Sequence, residues 1–323
     1  MKQNILITSV GKRVVLVRIF QKTLKELGLD GKVYSVDMRP EMSPAGYVSE
    51  ECMRVPRCTE SNYVDALLQI CREKEIAVVV PTIDTELQVL SENRGRFQEQ
   101  GVQLVLSDPD FIRACGDKRL TKSLFGDLRI SVPRMLDKEH ATFPMFAKPY
   151  DGSLSVNTHI IKDEEDLTAD ILEDPKMLFM EYIDKKEYRE YTVDMYYGLD
   201  HRVKGIVPRE RLEIRAGEIN KGITRKNEIV GYLKERMETV KGVRGCICLQ
   251  LFYRESDHDI KGIEINPRFG GGFPLAYYAK ANFVESILRE YMLGETVDYS
   301  DDWLDKTLML RYDDDVIIHD AEA

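Results

Sequence analysis

The residues best placed to do chemistry fall in three short stretches. The first is Phe146-Ala147-Lys148-Pro149-Tyr150-Asp151-Gly152-Ser153-Leu154-Ser155-Val156-Asn157, a lysine at a strand end followed by a small, hydroxyl-bearing turn. An ammonium facing a loop of backbone N–H groups can hold a polyphosphate. Lys-Pro before a Gly-Ser turn is, taken alone, more often an ordinary hairpin. The second stretch is Gln250 in CLQLFY with Glu264-Ile265-Asn266-Pro267-Arg268 in GIEINPRFGGG. Strand side chains alternate, so Glu264 and Asn266 share a face. The polar turn RESDHD between the two runs predicts a hairpin that brings Gln250 to the same site. Three converging oxygen-bearing side chains suit Mg²⁺, a hard cation, and Arg268 adds a fork-shaped donor for a terminal phosphate. The third is MEYID, residues 180–184, with EYTVD, residues 190–194. A strand entering a linker can offer alternating backbone groups to adenine, and an acid shortly after can accept from ribose hydroxyls.

These groups need elements to position them. The first hundred residues alternate strand and helix. An apolar run at 5–10 ends at Gly11, a stripe follows at Leu16, Phe20, Leu24 and Leu27, and KVYSVDM reads as a second strand. The continuous run IAVVVP at 76–81 predicts a strand buried on both faces of a parallel sheet. That rhythm calls for an open parallel α/β sheet with helices on both sides. Beyond about residue 110 the strands lengthen and become antiparallel in character, over 177–183, 188–197, 201–209, 245–253 and 260–266. Helices are expected near 164–172 and 227–240. The fold class is therefore α/β followed by α+β, with the change near residues 107–115.

At 323 residues, about two domains are expected. The hydrophobic share of 43% and charged share of 32% are globular values. A net charge of −10 argues against a nucleic-acid footprint, and nothing approaches a run of 18 apolar residues that could span a membrane. Lys12 and Arg13 interrupt the N-terminal apolar run before a signal sequence can form. Six scattered cysteines form no CxxC and no ligand-spaced set with the five histidines. Reduced thiols packed as small hydrophobes, and a cytoplasmic location, are expected. No GxxxxGK[ST], GxGxxG, GxSxG or HExxH is present.

The order of Asp117-Lys118, AKPYDGSLS (147–155), MEYI (180–183), EYTVD (190–194), Leu249-Gln250 and EINPR (264–268) resembles the ATP-grasp superfamily. Most of all it resembles one ATP-grasp half of the carbamoyl-phosphate synthetase large subunit. The resemblance implies an N-terminal open-sheet pre-ATP-grasp domain over 1–112 and an ATP-grasp domain over 113–323. Within the latter it implies a nucleotide-binding lid at about 120–190 and a metal-binding core at about 191–310. It further implies that Lys118 and Lys148 contact ATP phosphates and that Gly152, Ser153 and Ser155 belong to a loop covering them. Glu181, Tyr182 and Ile183 would form the adenine hinge. Glu190 would bind ribose, with Glu187 a close competitor. Gln250, Glu264 and Asn266 would hold Mg²⁺, with Mn²⁺ as a substitute, and Arg268 would steady the transferred γ-phosphoryl group. The family activates a carboxylate as an acyl phosphate for attack by an amine or related nucleophile.

With a single ATP-grasp unit, a stand-alone ligase acting on small-molecule carboxylate and amine substrates is expected, as a homodimer by family habit. The phosphate loop has Val156-Asn157 where relatives often keep small residues, which motivates the alternative of an ATP-binding regulatory or scaffold protein with degenerate ligase activity. A dinucleotide-dependent dehydrogenase using Asp37 is a third reading, without its glycine fingerprint. For substrate recognition the candidates are Arg209, Arg211 and Arg215, Lys221, Gly271 in the loop leaving the metal strand, and Glu86. The arginines could equally lie on a solvated strand, and Glu86, a candidate amine contact, could equally be an exposed first-turn glutamate complementing the helix dipole.

Overall fold

A computed structural model describes residues 3–137, 142–151, 157–215 and 217–319. The chain opens with β1 (Asn4–Ile7), α1 (Val14–Glu26), β2 (Val33–Asp37), α2 (Pro44–Val48), β3 (Cys52–Arg54), α3 (Tyr63–Glu73), β4 (Ile76–Val80), α4 (Asp84–Glu92), α5 (Arg94–Gln98) and β5 (Gln103–Leu104). The five strands form one parallel sheet in the order β3-β2-β1-β4-β5. As the unbroken apolar run required, four of the five β4 residues are buried. Strand order reverses between β1 and β4, so the loops after these two strands border the crevice where such sheets bind ligands.

Helices α6 (Pro109–Gly116) and α7 (Lys118–Asp127) lead into a small antiparallel sheet ordered β7-β6-β8. Its strands are β6 (Met145–Pro149), β7 (His159–Ile161) and β8 (Met177–Glu181), with α8 (Ala169–Glu173) alongside. The helix expected near 164–172 splits here. Asp163 caps a short 3₁₀ turn over Glu164–Asp166, Leu167 leaves helical backbone at φ −80°, ψ 78°, and α8 begins afresh.

The remainder is a six-stranded antiparallel sheet in the order β13-β12-β9-β10-β11-β14. It comprises β9 (Arg189–Tyr197), β10 (Val203–Arg215), β11 (Glu218–Thr224), β12 (Gly245–Arg254), β13 (Asp259–Asn266) and the edge strand β14 (Leu308–Leu310). Helix α9 (Glu228–Met237) starts where the Asn227 side chain accepts from the Ile229 N–H, and α10 (Phe273–Tyr278) and α11 (Phe283–Tyr291) complete the layer. Strands β3 and β14, three residues each, had no signal in the apolar pattern.

The large sheet has two unlike faces. Tyr191, Val193, Met195 and Tyr197 of β9 point into a core with Leu249, Leu251, Ile265 and the α9 residues Ile229, Leu233 and Met237. The alternate β9 residues, Glu190, Thr192 and Asp194, occupy the other face. By register they are joined there by Arg209 and Arg211 from β10, Cys248 and Gln250 from β12, and Glu264 and Asn266 from β13. A second core joins the two sheets: Ile5, Val10, Phe20 and Val78 pack with Tyr196, Val207, Phe269, Phe273 and Phe283. Across this junction the Phe20 and Phe269 rings meet edge to face at 6.2 Å.

Candidate active site

Gln250 lies directly opposite Glu264 in the β12–β13 ladder, and Asn266 opposite Cys248, so all three candidate ligands share one sheet face. The Asn266 amide donates to Glu264 Oε1 at 3.1 Å. An amide turned about its last torsion presents oxygen to the same point. One carboxylate and two amide oxygens fit a hard divalent ion that keeps further oxygen ligands of its own. Among the described residues no cluster of three or more His, Cys, Asp or Glu offers an alternative metal site.

Lys148 stands on β6 and Lys118 at the first position of α7. The backbone binds these together, since the Lys118 N–H donates to the Tyr150 carbonyl at 3.0 Å. Burial pushes the Lys148 ammonium down to about 8; Glu264 opposes the shift and Lys118 adds to it. Burial also lowers Lys118, against Glu264, Asp151 and Asp117. The last two carboxylates are engaged elsewhere, Asp151 with Lys176 at 2.6 Å and Asp117 with Arg119. Two desolvated lysines and the metal-type carboxylate are therefore electrostatic neighbours, although they come from a helix and from two different sheets.

Arg268 follows the metal-type strand and reaches the N-terminal unit. Its Nη2 and Nε donate to Asp84 Oδ2 at 2.6 and 3.1 Å, Nη1 donates to the Phe269 carbonyl, and Nη2 lies 3.4 Å from Asn266 Oδ1. Lys118, Lys148 and Arg268 outnumber Glu264 and Asp84 in charge. A bare cation is therefore opposed there, whereas a metal carried by a polyphosphate is not.

The linker between β8 and β9 holds the expected adenine hinge. Glu181 ends β8, where its N–H donates to the Arg134 carbonyl and its carboxylate pairs with Lys261 at 2.9 Å. Tyr182 and Ile183 follow it directly, Ile183 being buried. Of the two ribose candidates, Glu190 faces inward on the polar sheet face and pairs with Arg211 at 3.0 Å, whereas exposed Glu187 pairs with Arg254 at 3.1 Å. Gly152, Ser153 and Ser155 lie outside the described residues.

The substrate candidates separate clearly. Arg209 is 1% exposed and forms a fork with Asp194, Nε to Oδ2 at 2.6 Å and Nη2 to Oδ1 at 2.9 Å. Its carboxylate partner is thus internal, and Cys248 Sγ donates to the same Asp194 at 3.0 Å. Arg211 is spent on Glu190 and the Gly217 carbonyl, while Arg215 and Lys221 make surface pairs with Asp313 and Glu213. Glu86 is wholly buried and accepts from the Thr82 and Ile83 N–H groups, Ser9 Oγ and the Tyr63 hydroxyl. It closes the start of α4, but from a buried position and not the exposed one expected of a first-turn glutamate, because its carboxylate is needed by those four donors. Asp37 accepts from the Gly11 and Arg39 N–H groups, so it orders the loop after β1.

Glycines 270–272 owe their residue type to packing. A Cβ on Gly272 would stand 2.2 Å from Arg209 Nη1, one on Gly271 2.9 Å from the Glu218 carboxylate, and one on Gly270 2.5 Å from Cys248 Sγ. The loop lies flat on the buried ion pair. Asp84, the partner of Arg268, lies in the stretch after β4 that the sequence already marks as a ligand-facing strand end, whereas Arg13, in the loop after β1, escaped the sequence reading.

Known proteins resemble this chain in family segments and in fold. Residues 5–105 match the family model described as the PylC-like N-terminal domain, and residues 173–310 match ATP-grasp in the biosynthetic pathway with Ter operon. A search of curated protein sequences gave no match. Among solved structures, the biotin carboxylase domain of 2-oxoglutarate carboxylase from Hydrogenobacter thermophilus, a dimer with MgADP, ADP and bicarbonate, superposes with a TM-score of 0.71 at 14% identity. That alignment covers 94% of this chain and 72% of the other. Biotin carboxylase from Campylobacter jejuni gives 0.68 at 14% identity over 90% and 70% of the two chains. N5-carboxyaminoimidazole synthetase from Staphylococcus aureus with ADP gives 0.68 at 16% identity over 95% and 80%. Through the family match over residues 173–310 and the fold shared with these structures, the chain is similar to the ATP-grasp superfamily.

Proposed function

We propose that the protein is an ATP- and Mg²⁺-dependent ligase that activates a small-molecule carboxylate as an acyl phosphate for attack by an amine or related nucleophile. The observation that carries this reading is that Gln250, Glu264, Asn266 and Arg268 gather at one end of the polar sheet face, with the Lys118 and Lys148 ammonium groups within electrostatic reach of Glu264. The neighbours solved with MgADP, ADP or a nucleotide analogue support the same choice of ligand.

Lys118 and Lys148 would bind the ATP phosphates from the side of the small sheet. Glu181, Tyr182 and Ile183 would border adenine, and Glu190 would accept from ribose. Gln250, Glu264 and Asn266 would hold the Mg²⁺, which neutralises phosphate charge as it shifts. A carboxylate oxygen attacks the γ-phosphorus as the bond to the β–γ bridging oxygen breaks, and ADP leaves. The nucleophile then adds at the acyl carbon, phosphate departs, and the amine proton passes to solvent. The protein contributes alignment and charge, and Arg268 stands where it can do both. A cytoplasmic homodimer is part of the same reading; no helix among the described residues is long and apolar enough to cross a membrane.

The test is ADP release by purified protein given Mg-ATP with pooled carboxylates and amines, alongside Glu264→Ala. Release that depends on one pool and vanishes in the variant supports the ligase. Saturable Mg-ATP binding without ADP from any pool would replace it with the ATP-binding regulatory alternative.

A further inference from the structure

Arg13 is a guanidinium in want of an anion. It sits at the start of α1, in the loop after β1, and is partly buried. Its Nη2 donates to the Thr82 carbonyl at 2.8 Å. Among the described residues it forms no ion pair, whereas Lys12 beside it pairs with Glu218 at 3.5 Å. Removing a cation from water without a counter-charge is unfavourable, and proteins normally supply the missing partner.

Its neighbour is a second guanidinium. Arg13 is fastened to Thr82 and Arg268 to Asp84, so both arginines are anchored on one three-residue stretch after β4. Their mutual repulsion is felt: burial and the nearby Arg268 push Arg13 down to about 10, with Glu218, Cys248 and Asp84 opposing. Two arginines anchored on one short stretch by a carbonyl and a carboxylate can together receive a planar anion. One of the pair also touches the metal-type ligand Asn266. An anion seated there is next to the point where phosphate would be transferred.

We propose that Arg13, acting with Arg268 across the junction of the two sheets, binds the carboxylate of the substrate that this site activates. This rests on reading the site as a Mg-ATP-dependent ligase. Arg13 then belongs to acceptor recognition, while Lys118 and Lys148 serve the nucleotide.

The experiment labels arginines of the intact protein with phenylglyoxal and locates the adducts by mass spectrometry. It is run with no addition, with Mg-ATP alone, with Mg-ADP, and with Mg-ADP plus acetate or bicarbonate, the smallest anions a carboxylate site must admit. Arg13 should label early. Acetate or bicarbonate should slow its labelling at least threefold when Mg-ADP is present, and Mg-ADP alone should not. Protection by Mg-ATP alone, with no further effect of either acid, would make Arg13 a nucleotide residue and overturn the proposal. Unchanged labelling under every condition would overturn it as well. Arg13→Met should bind Mg-ATP like the parent but lose the effect of acetate on Mg-ADP affinity, which Arg13→Lys should partly keep. Failure of the ligase reading is seen separately, as absent ADP release from the parent protein with every pool, and leaves the acid-protection result to decide the anion site.

Discussion

On the proposed ligase reading, Lys148 should make Mg-ATP affinity a function of pH above neutrality. Its ammonium, held near 8 by burial, must be protonated to meet a phosphate, and phosphate contact stabilises the charged form. The protonated fraction of a group of pKa 8 falls from about nine-tenths at pH 7 to about one-tenth at pH 9, so affinity should weaken roughly tenfold, or about 1.4 kcal/mol. The sign follows from the direction of the shift: binding takes up a proton once the pH exceeds that of the free site, and the loss grows with pH until the bound lysine itself titrates. Titration of Mg-ATP by calorimetry at pH 7, 8 and 9 measures the effect, and buffers of different ionisation heat reveal proton uptake near pH 9. Lys148→Arg, charged throughout, should flatten the profile; Lys148→Met should bind weakly at every pH. A parent dissociation constant constant within twofold from pH 7 to 9 would refute the assignment of this lysine to the phosphates.

The surplus of positive charge around Glu264 predicts that Mg²⁺ binds only with nucleotide: equilibrium dialysis with Mg²⁺ alone should show no site, and Glu264→Gln should abolish ADP release with little change in melting temperature. Arg209→Ala leaves Asp194 buried without its partner and should lower stability by about 3–5 kcal/mol in urea titration, whereas exchanging both for apolar residues should recover much of it. Gly272→Ala forces a methyl against Arg209 and should destabilise by about 1–3 kcal/mol, read from the same titration. Asp84→Ala removes a pair whose carboxylate is 47% exposed, so stability should change by under about 1 kcal/mol while acceptor-dependent ADP release drops.

Where residue pattern was local, sequence reading reached the structure. The polar turn at 254–259 with apolar runs on both sides predicted the β12–β13 hairpin and Gln250 facing the same site as Glu264, while the register that sets the two directly opposite came from the structure. The βαβ rhythm predicted the parallel sheet, and the apolar run at 76–81 its buried β4 strand. Long-range pairing was not legible. The three arginines between 209 and 215 look alike in sequence, yet the β9–β10 register buries Arg209 against Asp194 and leaves Arg215 at the surface. Arg13 read only as a break in an apolar run, because its neighbours Thr82 and Arg268 are distant in the chain. Gly271 was a substrate-recognition candidate, and nothing in the sequence showed that its glycine loop packs against Glu218, Cys248 and Arg209.

The shared core between the two sheets bears on how this molecule can be cut, swapped or inherited. Phe269 and Phe273 meet Phe20 and the β1 residues Ile5 and Ile7, and Trp303, near the far end of the chain, belongs to the same cluster. A fragment beginning after residue 112 would expose that apolar surface to water and deprive Arg268 of Asp84. Exchange of the first hundred residues between related chains would have to carry matching aromatic faces, or the hybrid would fail at the seam before its chemistry could be assayed. A single melting transition from both halves is the corresponding expectation for the intact chain, whose modules are separable on paper and cooperative in solution.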